Sequence, residues 1–171
     1  MTKIERRRGG GATVRFDAVE VAALRVLAGQ VGQVLGGGVP EHGTDPIRDR
    51  LYPRAYVDPT EDRSEDEFQS VVHDDLVRAK SEAVAALLAD LETSTDRRDR
   101  LTVELDPAGV EQWVAALNDV RLTIGVVLGV TEDDDAEDDL ELDDPRAAGM
   151  ATYHWLTWVQ GTLVEVLMEE M

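Results

Sequence analysis

Hydrophobic positions recur along this chain in two rhythms. Val21, Leu24, Leu27, Val31 and Leu35 have the spacing that gathers apolar side chains on one face of an α-helix. Asp17 stands where an N-cap would be, so a helix is predicted over Ala18–Leu35, ended by Gly36, Gly37 and Gly38. Asp45 and Pro46 begin a short helix to about Leu51 in the same cap-then-proline manner. Tyr52, Pro53, Tyr56 and Pro59 then predict extended chain over the domain surface. Ser64 and Glu67 have capping-box spacing, and Phe68, Val71, Val72, Leu76, Ala79, Ala83, Leu87 and Leu91 form the stripe of a long helix. Asp74 could interrupt that helix by capping a second one.

The second rhythm is alternation. Leu101, Val103 and Leu105 face one way and Thr102 and Glu104 the other, the period of a strand. Asp106 and Pro107 then begin a helix predicted to run to Leu128, and Asp144–Pro145 opens a last helix carrying Trp155, Leu156, Val159, Leu163, Val166 and Leu167. Thr13–Phe16 is the other strand candidate. T-V-R-F-D-A (13–18) and T-V-E-L-D-P (102–107) share a strand–cap–helix pattern, which suggests that the two strands pair, with Arg15 and Glu104 on one face. The predicted fold is mainly α: one compact helical domain over 13–171 with a short two-stranded ribbon and an acidic loop at 131–144. Residues 1–12, with Lys3, Arg6, Arg7, Arg8 and three glycines, read as a flexible basic tail.

Composition narrows the function classes. Hydrophobic residues make up 43% of 171, enough for a core without disulfides or metal. There is no cysteine, which excludes a disulfide framework, a thiolate metal site, a cysteine nucleophile and any thiol redox switch within the chain. The longest candidate span, Leu122–Val130, is too short to cross a bilayer, and the N-terminus lacks the apolar segment of a secretory signal, so a cytoplasmic protein is expected. The net charge is −19; ten acids fall in Glu132–Asp144, and −9 remains without them. Such a surface repels phosphate backbones and predicts weak or no direct DNA binding, while favouring basic protein partners.

Little in the chain suggests chemistry. His42, His73 and His154 form no metal-ligand pair, and His73-Asp74-Asp75 reads as a polar surface cluster or cap. His154, beside Trp155, is expected to be half-buried. The glycine runs lack a phosphate-binding context, and the acidic run lacks the central glycine of a calcium loop. No catalytic, cofactor or metal residue is assigned. Arg121 stands out because it lies in line with Val110, Val114, Leu117, Ile124 and Leu128. A guanidinium there needs partners. Asp45, Asp49 and Asp74 are the candidate carboxylates for a structural ion pair, and an anion or partner contact in a groove is the functional alternative. Gly125 and Gly129 would admit a close helix, with Gly161 as counterpart. Trp155 and Trp158, three apart, could each be core or interface: one is expected in the core and the other is equally suited to either, which leaves room for a homodimer.

The segments D-P-I-R-D-R-L-Y-P-R-A-Y (45–56) and L-D-P-A-G-V-E-Q-W-V-A-A-L-N-D-V-R-L-T-I-G (105–125) resemble the actinobacterial AosR family of oxidative-stress regulators, formerly a domain of unknown function. The resemblance extends over residues 12–168. It implies a non-enzymatic transcriptional regulator of oxidative-stress and cysteine-biosynthesis genes, acting through protein contact with a sigma factor or RNA polymerase. The alternative is a structural or adaptor protein with no promoter role, linked to proteolysis or cysteine-synthesis proteins. An enzyme ranks third and would require a deep pocket with convergent polar groups. Without cysteine, a stress signal must reach this chain by a route other than its own thiols.

Overall fold

The computed structural model describes residues 1–37, 45–53, 62–93, 100–131 and 145–169. Three strands, β1 (Lys3–Arg6), β2 (Ala12–Phe16) and β3 (Leu101–Leu105), form an antiparallel sheet in the order β1-β2-β3. Five helices surround one face of it: α1 (Ala18–Gly36), α2 (Pro46–Leu51), α3 (Asp62–Thr93), α4 (Pro107–Leu128) and α5 (Ala147–Met168). The fold is mainly α with a small ribbon, as the two hydrophobic rhythms predict.

Alternation decides which face of the sheet is dry. Ala12, Val14 and Phe16 of β2 and Leu101, Val103 and Leu105 of β3 all point into the core. Phe16 stacks on Trp113 of α4 at 6.0 Å and meets the edge of Trp155 of α5 at 5.9 Å, which joins sheet and helices in one aromatic cluster. Trp113, fully buried, donates its indole N–H to Asp90 of α3 at 2.8 Å. The sequence pattern overlooked Trp113 because the buried face of α4 is rotated from the stripe first drawn. Its centre runs through Trp113, Ala116, Leu117, Val120 and Ile124, which leaves Val114 and Arg121 at its edge.

The start of the chain departs from expectation. Residues 1–12 are not a loose tail: Lys3–Arg6 pair with Ala12–Arg15, so the ribbon has three strands. The glycines form the turn. Gly9 and Gly10 have φ of 89° and 80°, and the Arg7 N–H bonds the Gly11 carbonyl at 2.8 Å. Thr2 is buried and donates its N–H to Glu20 at 2.8 Å, and its hydroxyl accepts from the Trp155 indole at 2.8 Å. β2 and β3 pair as predicted, and Arg15 and Glu104 share the solvent face. They do not meet: Arg15 lies opposite Thr102, and Glu104 opposite Thr13. Arg15 pairs instead with Glu5 at 2.8 Å and Glu104 with Arg7 at 3.1 Å, partners supplied by the hairpin.

Three of the predicted caps are present, whereas Ser64 falls inside α3, which begins at Asp62, and Asp144 lies outside the described residues. Asp17 accepts from the N–H groups of Val19 and Glu20 while Glu20 reaches back to Asp17 N, a full capping box; Asp45 caps α2 and Asp106 caps α4. α3 passes through His73–Asp74 without interruption, because neither residue breaks the helical hydrogen bonding. Its buried face is Ala83, Val84, Leu87 and Leu91; Leu76 and Ala79 are exposed. α5 begins at Ala147 with Arg146 as N-cap and no side-chain cap bond. The segments at 54–61 and 132–144, the latter holding the acidic loop, lie outside the described residues.

Candidate functional site

Among the described residues, two cavities and one buried ion pair have functional potential. The first cavity, about 590 Å³, lies between α1, α4 and α5. Val19, Val26 and Leu27 of α1, Thr123 and Val127 of α4 and Thr152 of α5 are among its walls, and no charged residue lines it among the described residues. Val19, Val26 and Val127 are 60–79% exposed. α1 explains this surface. It has 19 residues and a mean hydropathy of 1.3, long and apolar enough by length and composition to cross a membrane. That corrects the expectation that Leu122–Val130 is the strongest such stretch, since Glu20 and Arg25 only dilute the apolar character of α1. Val21, Leu24, Ala28, Val31 and Leu35 pack into the core. The opposite face therefore presents valines and alanines to solvent instead of the charged face usual on a surface helix.

The second cavity, about 540 Å³, is bounded by Arg50 of α2, the last turns of α4 from Arg121 and the residues after it to Thr131, and Tyr153 of α5. Leu122, Val126 and Val130 supply apolar wall, and the Tyr153 ring packs near Gly125, where a Cβ would meet Tyr153 Cε2 in ordinary contact at 3.5 Å. Arg121 is half-buried, and its Nε is buried without a hydrogen-bond partner among the described residues. No carboxylate among the described residues pairs with Arg121. Asp45 is occupied as the α2 cap, accepting from Ile47 and Arg48 N–H at 3.0 and 3.3 Å, while Asp49 and Asp74 are exposed; none pairs with Arg121. Helix rotation is the reason. Arg121 points between α2 and α5, and the carboxylate that is buried on α4 is two residues earlier.

That carboxylate is Asp119. It is 1% exposed and receives the Lys80 ammonium of α3 at 2.6 Å. Burial pushes its pKa up, and the hydrogen bond and charge of Lys80 pull it only part of the way back. Sequence reasoning missed the pair because Lys80 lies among surface-spaced residues and Asp119 looks like one acid among many. The only available signal was that 119 falls on the same helical face as 116 and 123. Nearby, the Tyr52 hydroxyl is buried and unpartnered among the described residues; its ring contacts His73 at 5.3 Å and lies under the Arg48 guanidinium at 5.7 Å. Burial raises its pKa.

The remaining residues separate by role. Trp155 is partly buried and structural, through Thr2 and Phe16, whereas Trp158 is half exposed. His154 is exposed, not half-buried, because it follows Tyr153 toward the solvent side of α5. The close helix approach is at Gly149, where a Cβ would fall 2.6 Å from Leu128 Cδ2; Gly129 is a left-handed C-cap, and Gly161 faces open space. Among the described residues no group of three or more histidines or acids is arranged to hold a metal ion.

These features define a helical domain with two cavities and a buried Lys80–Asp119 pair among the described residues. The chain belongs to the AosR family, described as a domain of unknown function (DUF2017), whose family model matches residues 1–167. It is 32% identical over 156 residues to an AosR protein of Mycobacterium leprae, covering 85% of this chain and 66% of that protein. It is 33% identical over 135 residues to the oxidative stress regulator AosR of Mycobacterium tuberculosis and to that of Mycobacterium bovis, covering 72% of this chain and 59% of each. The chain thus spans somewhat less than two thirds of the length of these relatives. No solved structure matches it.

Proposed function

We propose that this protein is a non-enzymatic, cytoplasmic regulator of the oxidative-stress response that works by protein contact with a sigma factor or RNA polymerase, its targets including cysteine-biosynthesis genes. The observation that carries the contact reading is the uncharged groove between α1, α4 and α5, with Val19, Val26 and Val127 turned outward. An exposed apolar patch of this kind suits a partner's apolar helix face. The net charge of −19 favours a partner with basic surface around that face and opposes independent DNA binding. The names of the relatives support the stress-response part.

The test is co-purification and calorimetry of the protein with stress sigma factors and core RNA polymerase from its own host. Wild type is expected to bind one of them, and Val26→Asp or Val127→Asp to abolish binding with unchanged circular dichroism. Absence of binding to all of them, or tight sequence-specific DNA binding by the isolated protein at physiological salt, overturns the proposal.

A further inference from the structure

The cavity at Arg50 and Arg121 has a character opposite to the rest of the molecule. The chain has 36 acidic and 17 basic residues, yet this cavity is lined by two arginines and no acid among the described residues. Arg121 makes no ion pair with any described carboxylate, and its Nε–H is buried without an acceptor. Because Arg121 lines the cavity, the planar fork of donors on its guanidinium is available there to an anion, and that fork matches a carboxylate.

The walls determine what kind of anion. Leu122, Val126 and Val130 line the cavity beyond the arginines, and the Tyr153 ring forms its far side. At about 540 Å³ the cavity is within the range of small-molecule sites. The direction of α4 fixes the orientation of a ligand. The negative end of the helix dipole lies at Leu128, so an anionic head is disfavoured there and favoured at Arg121, two turns earlier. An apolar body would then lie along Val126 and Val130, where the Gly125 and Val126 carbonyls are taken by Gly129 and Val130 N–H.

We infer that this cavity is a binding site for a small organic carboxylate with an apolar or aromatic body, its carboxylate held by Arg121 and Arg50. The site is separate from the apolar groove and does not depend on the partner reading.

The test uses 4-phenylbutyrate as probe, with 4-phenylbutanol and inorganic phosphate as its neutral and body-less counterparts, on the full chain. Titration is followed by calorimetry and by the arginine Nε–Hε signals in nitrogen-15 NMR. Saturable binding of 4-phenylbutyrate is expected, with the Arg121 Nε–Hε signal shifting. Arg121→Gln and the exposed-site Arg50→Gln are each expected to weaken it by about tenfold or more, as for one lost charge-assisted hydrogen bond. Val26→Asp, in the other cavity, is expected to leave it unchanged. The inference is overturned by no saturable binding, by equal binding of the alcohol or of phosphate, by affinity unchanged in Arg50→Gln, or by loss of binding in Val26→Asp.

Discussion

The Lys80 ammonium lies 2.6 Å from Oδ1 of Asp119, and this contact carries a charge pair across the packing of α3 on α4. The two differ in exposure: the Asp119 side chain is 2% exposed and that of Lys80 18%. The lysine keeps part of its hydration while the carboxylate loses nearly all of it, which is why burial outweighs the ion pair at Asp119.

A pH dependence follows. The native carboxyl is held above its ordinary value of 3.8, so folding favours the protonated form. Stability from this site is fully present below that value and is lost as pH rises through the raised native pKa. The melting temperature of Asp119→Asn relative to wild type is therefore expected to rise between about pH 3 and pH 7, as read by scanning calorimetry. The opposite drift would show that Lys80 outweighs burial. Lys80→Met, which leaves the buried carboxylate alone, is expected to cost about 3 kcal/mol at neutral pH and less in acid.

Tyr52→Phe is expected to be neutral or to stabilise by up to about 1 kcal/mol, because the hydroxyl it removes is buried without a partner among the described residues. Chemical denaturation measures this. A loss of more than about 1 kcal/mol would reveal a hydrogen bond to that hydroxyl.

Glycine substitutions should divide by surroundings. Gly161 lies within α5 with nothing near its added Cβ, so Gly161→Ala is expected to stabilise by about 0.5–1 kcal/mol. At Gly11 the same methyl would be driven into the backbone carbonyl of Leu105, and Gly11→Ala is expected to destabilise by about 1–3 kcal/mol. Equal melting temperatures for the two variants would contradict the hairpin packing.

Trp113→Ala is expected to cost about 3–5 kcal/mol, since it empties the centre of the aromatic cluster and frees Asp90. Trp113→Phe separates the two effects by keeping most of the volume while removing the indole N–H. A fluorescence-monitored urea titration reports both through the remaining tryptophans.

Oxidants should act on methionine alone. With no cysteine, diamide is expected to leave mass and oligomeric state unchanged. Hydrogen peroxide is expected to reach Met168 before Met150, because Met168 is 61% exposed and Met150 8%. Peptide mass mapping over time gives the order, and earlier oxidation of Met150 would contradict the packing of α5.

What the sequence by itself determined is local. Asp17, Asp45 and Asp106 cap helices because a cap bond closes over two or three residues, and the alternation in 101–105 assigns its own dry face. The mainly helical class, the cysteine-free chemistry and the family likeness all follow from neighbours in the chain. The tertiary structure decided everything that needed a partner far along it. Residues 3–6 become a strand only because β2 offers an unpaired edge, and Arg15 and Glu104 take Glu5 and Arg7 because that hairpin brings those charges nearer than they are to each other. The rotation of α4, a fraction of a turn that no periodicity resolves, buried Asp119 and Trp113 and left Arg121 facing a cavity. Packing against α3, α2 and α5 sets that angle, because the side chain that fills the space best is chosen by surfaces that meet only in the folded chain.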